Sequence, residues 1–343
     1  MSDVFKTHPN TVVANIVVAG GGAFGTALAI VIAASKNAHV TLLMRSPKNA
    51  DHTQSTRCNH ARLPSITLPD ALTITSDQSC ISAADILLSV VPTSAQKDFA
   101  ELAKAHLSPN AVFVICSKGF DRLSGGLMSA QIQTILPSHD IAVLSGPGFA
   151  SDIAKGLPTA MTIAAKTLAQ AEDLSSYLSQ KTFRLYGSDD VQGVQTGGAL
   201  KNVLAIAAGI VTGAGLGESA RASIIARGLA ELSRYIHFMG GKAETASGLS
   251  GLGDLVLTAT SEQSRNYRYG IELGRGVSIE QLSGPDKPLV EGANAAIAAA
   301  EVGARENINL PITKSVADII KARIDVAQAI EQLLARPLRN EHE

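Results

Sequence analysis

The chain has 343 residues, of which 45% are hydrophobic, 17% are charged and 4% are aromatic, and its formal net charge at pH 7 is −1. This length and apolar content predict two domains, each with a full-sized core. The balanced charge and the absence of Trp argue against nucleic acid or an anionic membrane as a partner.

Cysteine use and apolar patterning indicate the compartment. Cys58, Cys80 and Cys116 are odd in number and form no C-x-x-C pair, which is typical of reduced thiols in a cytoplasmic protein. Residues 1–11 contain no apolar signal segment. The longest apolar stretch, residues 203–216, is shorter than the ~18 residues that span a bilayer. We therefore expect a cytoplasmic protein with no membrane span and a buried helix at 203–216.

The first half of the chain alternates strands and helices. We predict strands at residues 12–19, 39–44, 85–91, 111–116, 141–144 and 159–164, with helices at 26–34, 93–106 and 168–180. This alternation predicts a doubly wound α/β domain with right-handed crossovers.

The second half changes character near residue 188. We predict helices at residues 190–216, 219–240, 294–306 and 312–334, and no strand. The fold class is therefore α/β: a Rossmann-like domain at residues 1–189, followed by an all-α domain at residues 190–343.

Three glycines follow the first strand with the spacing G-x-G-x-x-G: Gly20, Gly22 and Gly25. At this place the first allows a tight turn, the second allows a pyrophosphate to approach, and the third allows the helix to pack on the strand. The helix N-terminus then offers free N–H groups to the phosphates. The alternative is a glycine-rich turn that binds nothing.

Arg45 ends the second strand, about 20 residues after Gly25, where an acidic residue would bind the ribose 2′-hydroxyl of NAD. An arginine pairs instead with a 2′-phosphate. The sequence therefore favours NADP(H) as the cofactor, with NAD(H) as the alternative. If Arg45 does not bind the cofactor, it is a solvated surface side chain.

Two segments follow other strands at the edge where a parallel sheet binds ligands. Ser117-Lys118-Gly119 follows one strand, and a loop with Gly146 and Gly148 follows the next. Lys118 is a candidate ligand contact or a solvated lysine, and the glycine loop exposes its backbone N–H groups or is an ordinary turn.

Lys201 lies in an otherwise apolar helix, one turn after Gly197 and Gly198. Each glycine there costs about 1 kcal/mol relative to alanine, which suggests that a ligand approaches this face closely. A partly desolvated lysine has a lowered pKa and acts as an acid or base near neutral pH. The alternative is a lysine that extends from a core helix to solvent.

Asp254 and the Ser264-Arg265-Asn266 segment complete the set of polar candidates. Asp254 is flanked by apolar residues and needs a partner, such as a lysine ammonium group. Arg265, beside Ser264 and Asn266, is suited to hold a phosphate, and its alternative is a surface ion pair. The eight histidines are scattered and show no metal-ligand spacing, so no metal is expected.

Together these segments resemble bacterial NAD(P)-dependent glycerol-3-phosphate dehydrogenases, from about residue 15 to residue 334. The matching stretches, in order, are residues 20–29, 117–119, 145–150, 197–203, 251–255, 264–266 and 290–292. Several matches in the right order are far more specific than any one of them.

The resemblance implies that the chain interconverts dihydroxyacetone phosphate and sn-glycerol 3-phosphate, supplies phospholipid synthesis and forms a homodimer through its helical domain. It implies that Lys201, Asp254 and Lys118 are catalytic. Residues that it implies contact the small phosphorylated substrate are Lys118, Gly146, Gly148, Lys201, Asp254, Ser264, Arg265 and Asn266. Residues that it implies line the dinucleotide are Gly20, Gly22, Ala23, Phe24, Gly25, Arg45, Lys118, Ala150, Arg265, Leu289 and Glu291.

The chain departs from the family pattern at four positions. Gly148 stands where Ser or Thr is usual, Gln195 where Glu is common, Ser219 where Asn is common, and Arg62 where an aromatic residue is usual. None of these departures removes a catalytic group. At Gly148 the resemblance implies that one hydroxyl contact to the substrate is either missing or made by the backbone.

Two other functions remain compatible with the residues alone. One is an NADPH-dependent keto- or hydroxy-acid dehydrogenase of the same architecture, against which the 264–266 segment and the Lys118 and Asp254 motifs argue. The other is a non-catalytic NADPH-binding protein, which would need the glycines but neither Lys201 nor Asp254.

Overall fold

The computed structural model describes residues 13–121, 124–282, 284 and 290–337. Eight strands within these residues form one sheet: β1 Ala14–Ala19, β2 Ala38–Leu43, β3 Leu72–Thr75, β4 Ile86–Ser89, β5 Val112–Ile115, β6 Asp140–Ser145, β7 Thr159–Ala164 and β8 Phe183–Ser188. Apolar residues fill the central strands because helices cover both faces of the sheet.

The strands lie in the order β3-β2-β1-β4-β5-β6-β7-β8. All neighbours pair in parallel except β6 and β7, which are antiparallel. The order reverses between β1 and β4, and in open α/β sheets ligands bind at the carboxyl ends of the strands near this point. The predicted doubly wound domain is confirmed, with one antiparallel pairing that the alternation of strands and helices did not reveal.

The prediction found six strands and missed two. β3 has four residues and alternates more and less buried side chains, so it lacks the continuous buried run of β4 and β5, which are equally short. β8 alternates buried and exposed side chains and lies at the edge of the sheet, so it lacks the continuous apolar run of the inner strands. Its partner β7 buries four residues in succession and was found.

The helices fill the spaces between strands and then form the second half of the described chain. They are α1 Ala23–Ile32, α2 Pro47–Thr56, α3 Gln96–Lys104, α4 Met128–Ile135, α5 Ala150–Ala154, α6 Leu168–Leu178, α7 Val191–Gly213, α8 Glu218–Phe238, α9 Asp254–Ala259, α10 Arg265–Gly274, α11 Ile279–Leu282, α12 Glu291–Arg305, α13 Pro311–Ile320 and α14 Val326–Leu334. The single helix predicted at residues 312–334 is wrong, because the chain turns at Ala322, whose φ is +52°, and α14 starts from its own capping box. In the second half, the helices α9, α10 and α11 were not predicted.

The helix α7 is the centre of the second core. It packs against α8, α10 and α12, and nineteen of its residues are buried. By length and composition alone it could cross a membrane, but its most apolar window is wholly enclosed by the protein. A helix apolar on all sides and covered by other helices is the core helix expected from residues 203–216.

The two halves meet at Asp190, which lies between the end of β8 and the start of α7. Its carboxylate caps α7 by accepting from the N–H of Gly193 at 2.8 Å. The same carboxylate accepts from the N–H of Lys242 at 2.9 Å and the hydroxyl of Thr245 at 2.5 Å. A boundary at 189/190 falls at this junction and stays a prediction.

Candidate active site

The predicted dinucleotide turn joins β1 to α1. Gly20 has a φ of +131°, and a Cβ atom there would lie 2.7 Å from the carbonyl oxygen of Val90. A Cβ at Gly25 would lie 2.0 Å from the carbonyl oxygen of Gly20, so the helix could not pack against the turn. Gly22 is the N-cap of α1, and a Cβ there would meet nothing within 4 Å. The turn is closed on the protein side and open on the other, as a phosphate site requires.

The other predicted cofactor residues lie on several elements of the fold. Ala23 and Phe24 begin α1, and Ala150 begins α5. Arg45 follows β2, is exposed, and makes no hydrogen bond or ion pair with the described residues. Glu291 begins α12 and accepts a hydrogen bond from Thr93 at 3.3 Å. Leu289 lies outside the described residues.

Lys118 joins three segments at the carboxyl edge of the sheet. It follows β5, and its Nζ donates to the carbonyl oxygen of Gly146, after β6, at 3.0 Å. The same Nζ lies 2.6 Å from Oδ2 of Asp254, which begins α9 in the helical half. The lysine therefore links the sheet edge to the helical half across 136 positions of sequence.

Lys201 contacts the other oxygen of the same carboxylate. Its Nζ lies 3.0 Å from Oδ1 of Asp254 and 2.6 Å from Oγ1 of Thr258. Thr258 in turn donates to Oδ1 of Asp254 at 3.2 Å. Lys201 is 5% exposed and Asp254 is 2% exposed, so the two lysines share one buried carboxylate.

Burial and neighbouring charges have opposing effects on the pKa values of Lys201 and Asp254. Burial lowers the pKa of Lys201 to about 8, although Asp254 opposes the shift, and the charge of Lys118 lowers it further. Burial by itself would raise the pKa of Asp254, but Lys118 and Lys201 outweigh it and hold that pKa below its ordinary value. Asp254 is therefore ionised at neutral pH, and Lys201 is a proton donor and acceptor near its own pKa.

Glycine is required at positions 197 and 198, before Lys201, for a different reason from the predicted one. A Cβ at Gly197 would lie 2.9 Å from the carbonyl oxygen of Ser250, and a Cβ at Gly198 would lie 2.4 Å from Oγ of Ser145. The space beside Lys201 is thus filled by the protein's own chain, and the expectation of close ligand approach at these glycines was wrong. Residues 249–253, packed against α7, form a π-helical turn that leads directly into Asp254.

The 264–266 segment is the start of α10. Ser264 caps the helix by accepting from the N–H of Tyr267 at 3.2 Å, and Arg265 is exposed. The Nδ2 of Asn266 donates to Oδ1 of Asn202 at 2.9 Å, and its Oδ1 accepts from the N–H of Gly292 at 3.1 Å. A helix N-terminus with a free guanidinium group beside it is suited to an anion.

Sequence reasoning missed two polar side chains here. Thr258 lies four residues after Asp254, on the same face of α9, and this spacing could have indicated it. Asn202 is 3% exposed and its amide Nδ2 lies 3.5 Å from the carbonyl oxygen of Lys118. Its position next to Lys201 in the sequence was visible, but its pairing with Asn266 was not.

Two departures from the family pattern have local explanations. A Cβ at Gly148 would lie 2.9 Å from Cδ1 of Ile153, so Ile153 occupies part of the space of the usual hydroxyl side chain. Gln195 accepts from the N–H and hydroxyl of Ser129 at 3.0 and 2.7 Å through one oxygen, a role that a carboxylate would also fill.

A dinucleotide-type turn and a buried lysine–carboxylate group at one edge of a doubly wound sheet define a nicotinamide-dependent dehydrogenase. Family models for the N-terminus and C-terminus of NAD-dependent glycerol-3-phosphate dehydrogenase match residues 15–171 and 190–331. The chain belongs to this family.

Individual relatives agree over almost the whole chain. A glycerol-3-phosphate dehydrogenase [NAD(P)+] of Agrobacterium fabrum is 55% identical over 95% of this chain and 98% of its own length. One from Rhizobium johnstonii is 53% identical over 95% of this chain and 99% of its own. The crystal structure of the Coxiella burnetii glycerol-3-phosphate dehydrogenase has 35% identity and a TM-score of 0.87, covering 94% of this chain and 99% of that one.

Proposed function

We propose that this protein reduces dihydroxyacetone phosphate to sn-glycerol 3-phosphate, reversibly, with NADPH favoured over NADH. The observation that carries the proposal is the Lys201–Asp254–Lys118 group, buried at the carboxyl edge of the sheet and next to the start of α10. A keto-acid dehydrogenase has no specific observation in its favour, and the family match argues against it. A protein that only binds NADPH would have no need of a buried lysine and a second, partly buried lysine paired with one carboxylate.

The residues of the turn fit a dinucleotide. The N–H groups at residues 21–25 donate to no acceptor among the described residues, and the open side of Gly22 admits a phosphate. Arg45 is free to pair with a 2′-phosphate, which supports NADP(H). The bound reduced nicotinamide supplies the hydride.

Lys201 acts as the general acid. Its ammonium group donates a proton to the oxygen that becomes the 2-hydroxyl and stabilises the negative charge that develops there. In the reverse direction the neutral amine accepts that proton. Asp254 holds Lys201 in place, and Thr258 accepts a further hydrogen bond from the ammonium group, so the donor is oriented before substrate binds.

Arg265 and the N-terminus of α10 bind the phosphate of the substrate, with Ser264 and Asn266 shaping that turn. Lys118 contacts both substrate and cofactor, and Gly146 and Gly148 approach the substrate through their backbone. Binding energy at the phosphate fixes the carbonyl next to Lys201, which raises the rate through orientation.

The wider setting is part of the proposal. Three free cysteines are consistent with a cytoplasmic protein. A homodimer through the helical domain is supported by the first half of α8, in which no residue before Gly228 is fully buried and in which Ile224 and Ile225 pack only partly against the second core. The product would supply phospholipid synthesis, as the family resemblance implies.

The decisive experiment follows NADPH oxidation by the purified protein with dihydroxyacetone phosphate. Dihydroxyacetone and a small 2-keto acid serve as comparison substrates, and Lys201→Ala is the matched variant. We expect rapid turnover only with the phosphorylated ketone, and a loss of about 10³-fold in kcat for the variant with NADPH binding retained. Turnover of the keto acid instead, or near-normal turnover by the variant, would overturn the assignment.

A further inference from the structure

The side chain of Asn59 contacts the dinucleotide turn from a distant part of the chain. Asn59 lies in the loop between α2 and β3 and is 3% exposed. Its Nδ2 donates to the carbonyl oxygen of Gly21 at 3.1 Å and to Oγ1 of Thr26 at 2.9 Å. Since a carbonyl oxygen only accepts hydrogen bonds, the amide of Asn59 must direct its nitrogen toward Gly21.

The loop that carries Asn59 is itself held in place. Arg57, with a φ of +51°, donates to the carbonyl oxygens of Pro69 and Leu72. The carbonyl oxygen of Asn59 accepts from the N–H of Leu63 at 2.8 Å, and the side chain of Leu63 is buried. Asn59 is therefore a fixed donor whose position does not depend on the glycine turn.

A fixed carbonyl at Gly21 determines the direction of the next N–H group. In a planar trans peptide the C=O and the N–H point in opposite directions, and no described peptide is cis. The hydrogen bond from Asn59 thus turns the Gly22 N–H away from the protein, and that N–H has no acceptor among the described residues. A rotated peptide would present a carbonyl oxygen to an anion, and glycines on both sides leave little steric resistance to that rotation.

We propose that Asn59 is a positioning residue for the pyrophosphate of the dinucleotide. By holding the Gly21 carbonyl it keeps the Gly22 N–H directed at the phosphates, at the N-terminus of α1. The inference rests on the proposed dinucleotide site, and it adds to that site a side chain that does not touch the ligand.

The test is Asn59→Asp, which keeps the shape of the side chain but cannot donate to a carbonyl oxygen. Binding is measured by calorimetry without substrate, using NADPH and adenosine 2′-monophosphate, which lacks the pyrophosphate. We expect the Kd for NADPH to rise at least tenfold and the Kd for adenosine 2′-monophosphate to stay within twofold of wild type. A purely structural role would weaken both ligands together.

Thr26→Val is the matched control, because it removes the other hydrogen bond of the same Asn59 nitrogen in the same buried place. It should lower the Tm but leave the Kd for NADPH within twofold. If N59D does not fold, Asn59→Ala removes the donor without adding charge and takes its place.

Unchanged NADPH binding in the folded Asn59 variant overturns the proposal, and so does an equal loss for both ligands. Wild-type protein that binds neither NADPH nor NADH would overturn the dinucleotide site itself. The two failures are distinguishable, because a wrong role for Asn59 would show only in the variants and would leave binding by the wild-type protein intact.

Discussion

At the scale of single residues, the protonation of Lys201 follows from its surroundings. An exposed lysine is charged at every physiological pH, whereas burial brings the pKa of Lys201 to about 8, where both forms are available. The carboxylate of Asp254 limits the shift by stabilising the ammonium form. The same environment therefore permits proton donation in one direction and proton acceptance in the other.

The pH dependence of the reaction should show this pKa. Reduction needs the ammonium form of Lys201, so kcat/KM for dihydroxyacetone phosphate should fall about tenfold per pH unit above pH 8. Oxidation of glycerol 3-phosphate needs the neutral amine, so its kcat/KM should rise with pH up to the same value. Measuring kcat/KM as a function of pH in both directions tests the falling profile of reduction and the rising profile of oxidation.

Asp254→Asn provides the control for that assignment. Removing the carboxylate leaves Lys201 beside Lys118 without compensation, so the alkaline limb should move to lower pH while the rate falls. An alkaline limb that stays in place would show that another group titrates.

The lowered pKa of Lys201 also affects the stability of the fold. Below pH 8 the folded protein must hold a buried ammonium group, which costs stability. This cost disappears as the pH rises from about 8 toward the ordinary lysine pKa of 10.5.

Arg45 is the residue on which cofactor preference should depend. Arg45→Asp removes a charged hydrogen-bond partner of the 2′-phosphate, a loss of about 1.5–3 kcal/mol. We expect the ratio of kcat/KM for NADPH to that for NADH to fall about 10- to 100-fold. Lys36→Asp makes the same charge reversal at an exposed position before β2, and should leave the ratio unchanged. If both variants keep the wild-type ratio, Arg45 does not select the cofactor.

At the scale of elements, the contact between α7 and α10 fixes the distance from Lys201 to the start of α10. Four glycines permit it: a Cβ at Gly209 or Gly213 of α7 would lie 2.2 or 2.1 Å from a carbonyl oxygen of α10. Gly270 and Gly274 face the carbonyl oxygens of Ile206 and Ile210 in the same way, at 2.1 and 2.3 Å. The Asn202–Asn266 hydrogen bond continues the same four-residue register toward the active site.

Gly270→Ala tests this arrangement. Alanine stabilises an isolated helix by about 1 kcal/mol relative to glycine, but here its methyl group would meet the backbone of α7. We expect the free energy of unfolding to fall by about 3 kcal/mol and the KM for dihydroxyacetone phosphate to rise, because α10 carries Arg265. Denaturant unfolding and steady-state kinetics measure the two effects. Arg268→Ala, at an exposed position of the same helix, should change stability by no more than about 0.5 kcal/mol; equal stability of G270A and wild type would contradict the packing argument.

At the scale of the whole molecule, the candidate site is assembled from both halves of the chain. Lys118 and Gly146 come from the sheet edge, whereas Lys201, Asp254 and Arg265 come from the helical half. A cofactor bound at the turn after β1 and contacted by Arg265 and Glu291 would touch both halves. Its binding should therefore stabilise the protein as one unit.

Thermal unfolding with and without NADPH measures that coupling. At a concentration 100 times its Kd, NADPH should raise the free energy of unfolding by about 2.7 kcal/mol, in a single transition for the whole chain. Lys201→Ala should retain the increase, because Lys201 is proposed to act on the substrate. Two separate transitions, of which only one responds to NADPH, would show that the halves unfold independently.

Patterns within short stretches of the chain were enough to predict the fold class and to propose most candidate residues. The glycine spacing, the buried strand runs and the position of Arg45 are local patterns, and local patterns are set by neighbouring residues in the chain. The short β3, the half-exposed β8 and the antiparallel β6–β7 pairing were not predicted, because each depends on contacts with strands distant in sequence.

Which polar groups contact one another became clear only from the folded chain. No spacing rule joins Lys118 to a carboxylate 136 positions away, or Asn59 to a carbonyl 38 positions away. The fold also gives a new explanation for Gly197 and Gly198, which leave room for the backbone of Ser250 and the side chain of Ser145. Burial of Lys201 and the low pKa that follows exist only when α7, α9 and the sheet edge enclose it together, because desolvation is a property of the packed site.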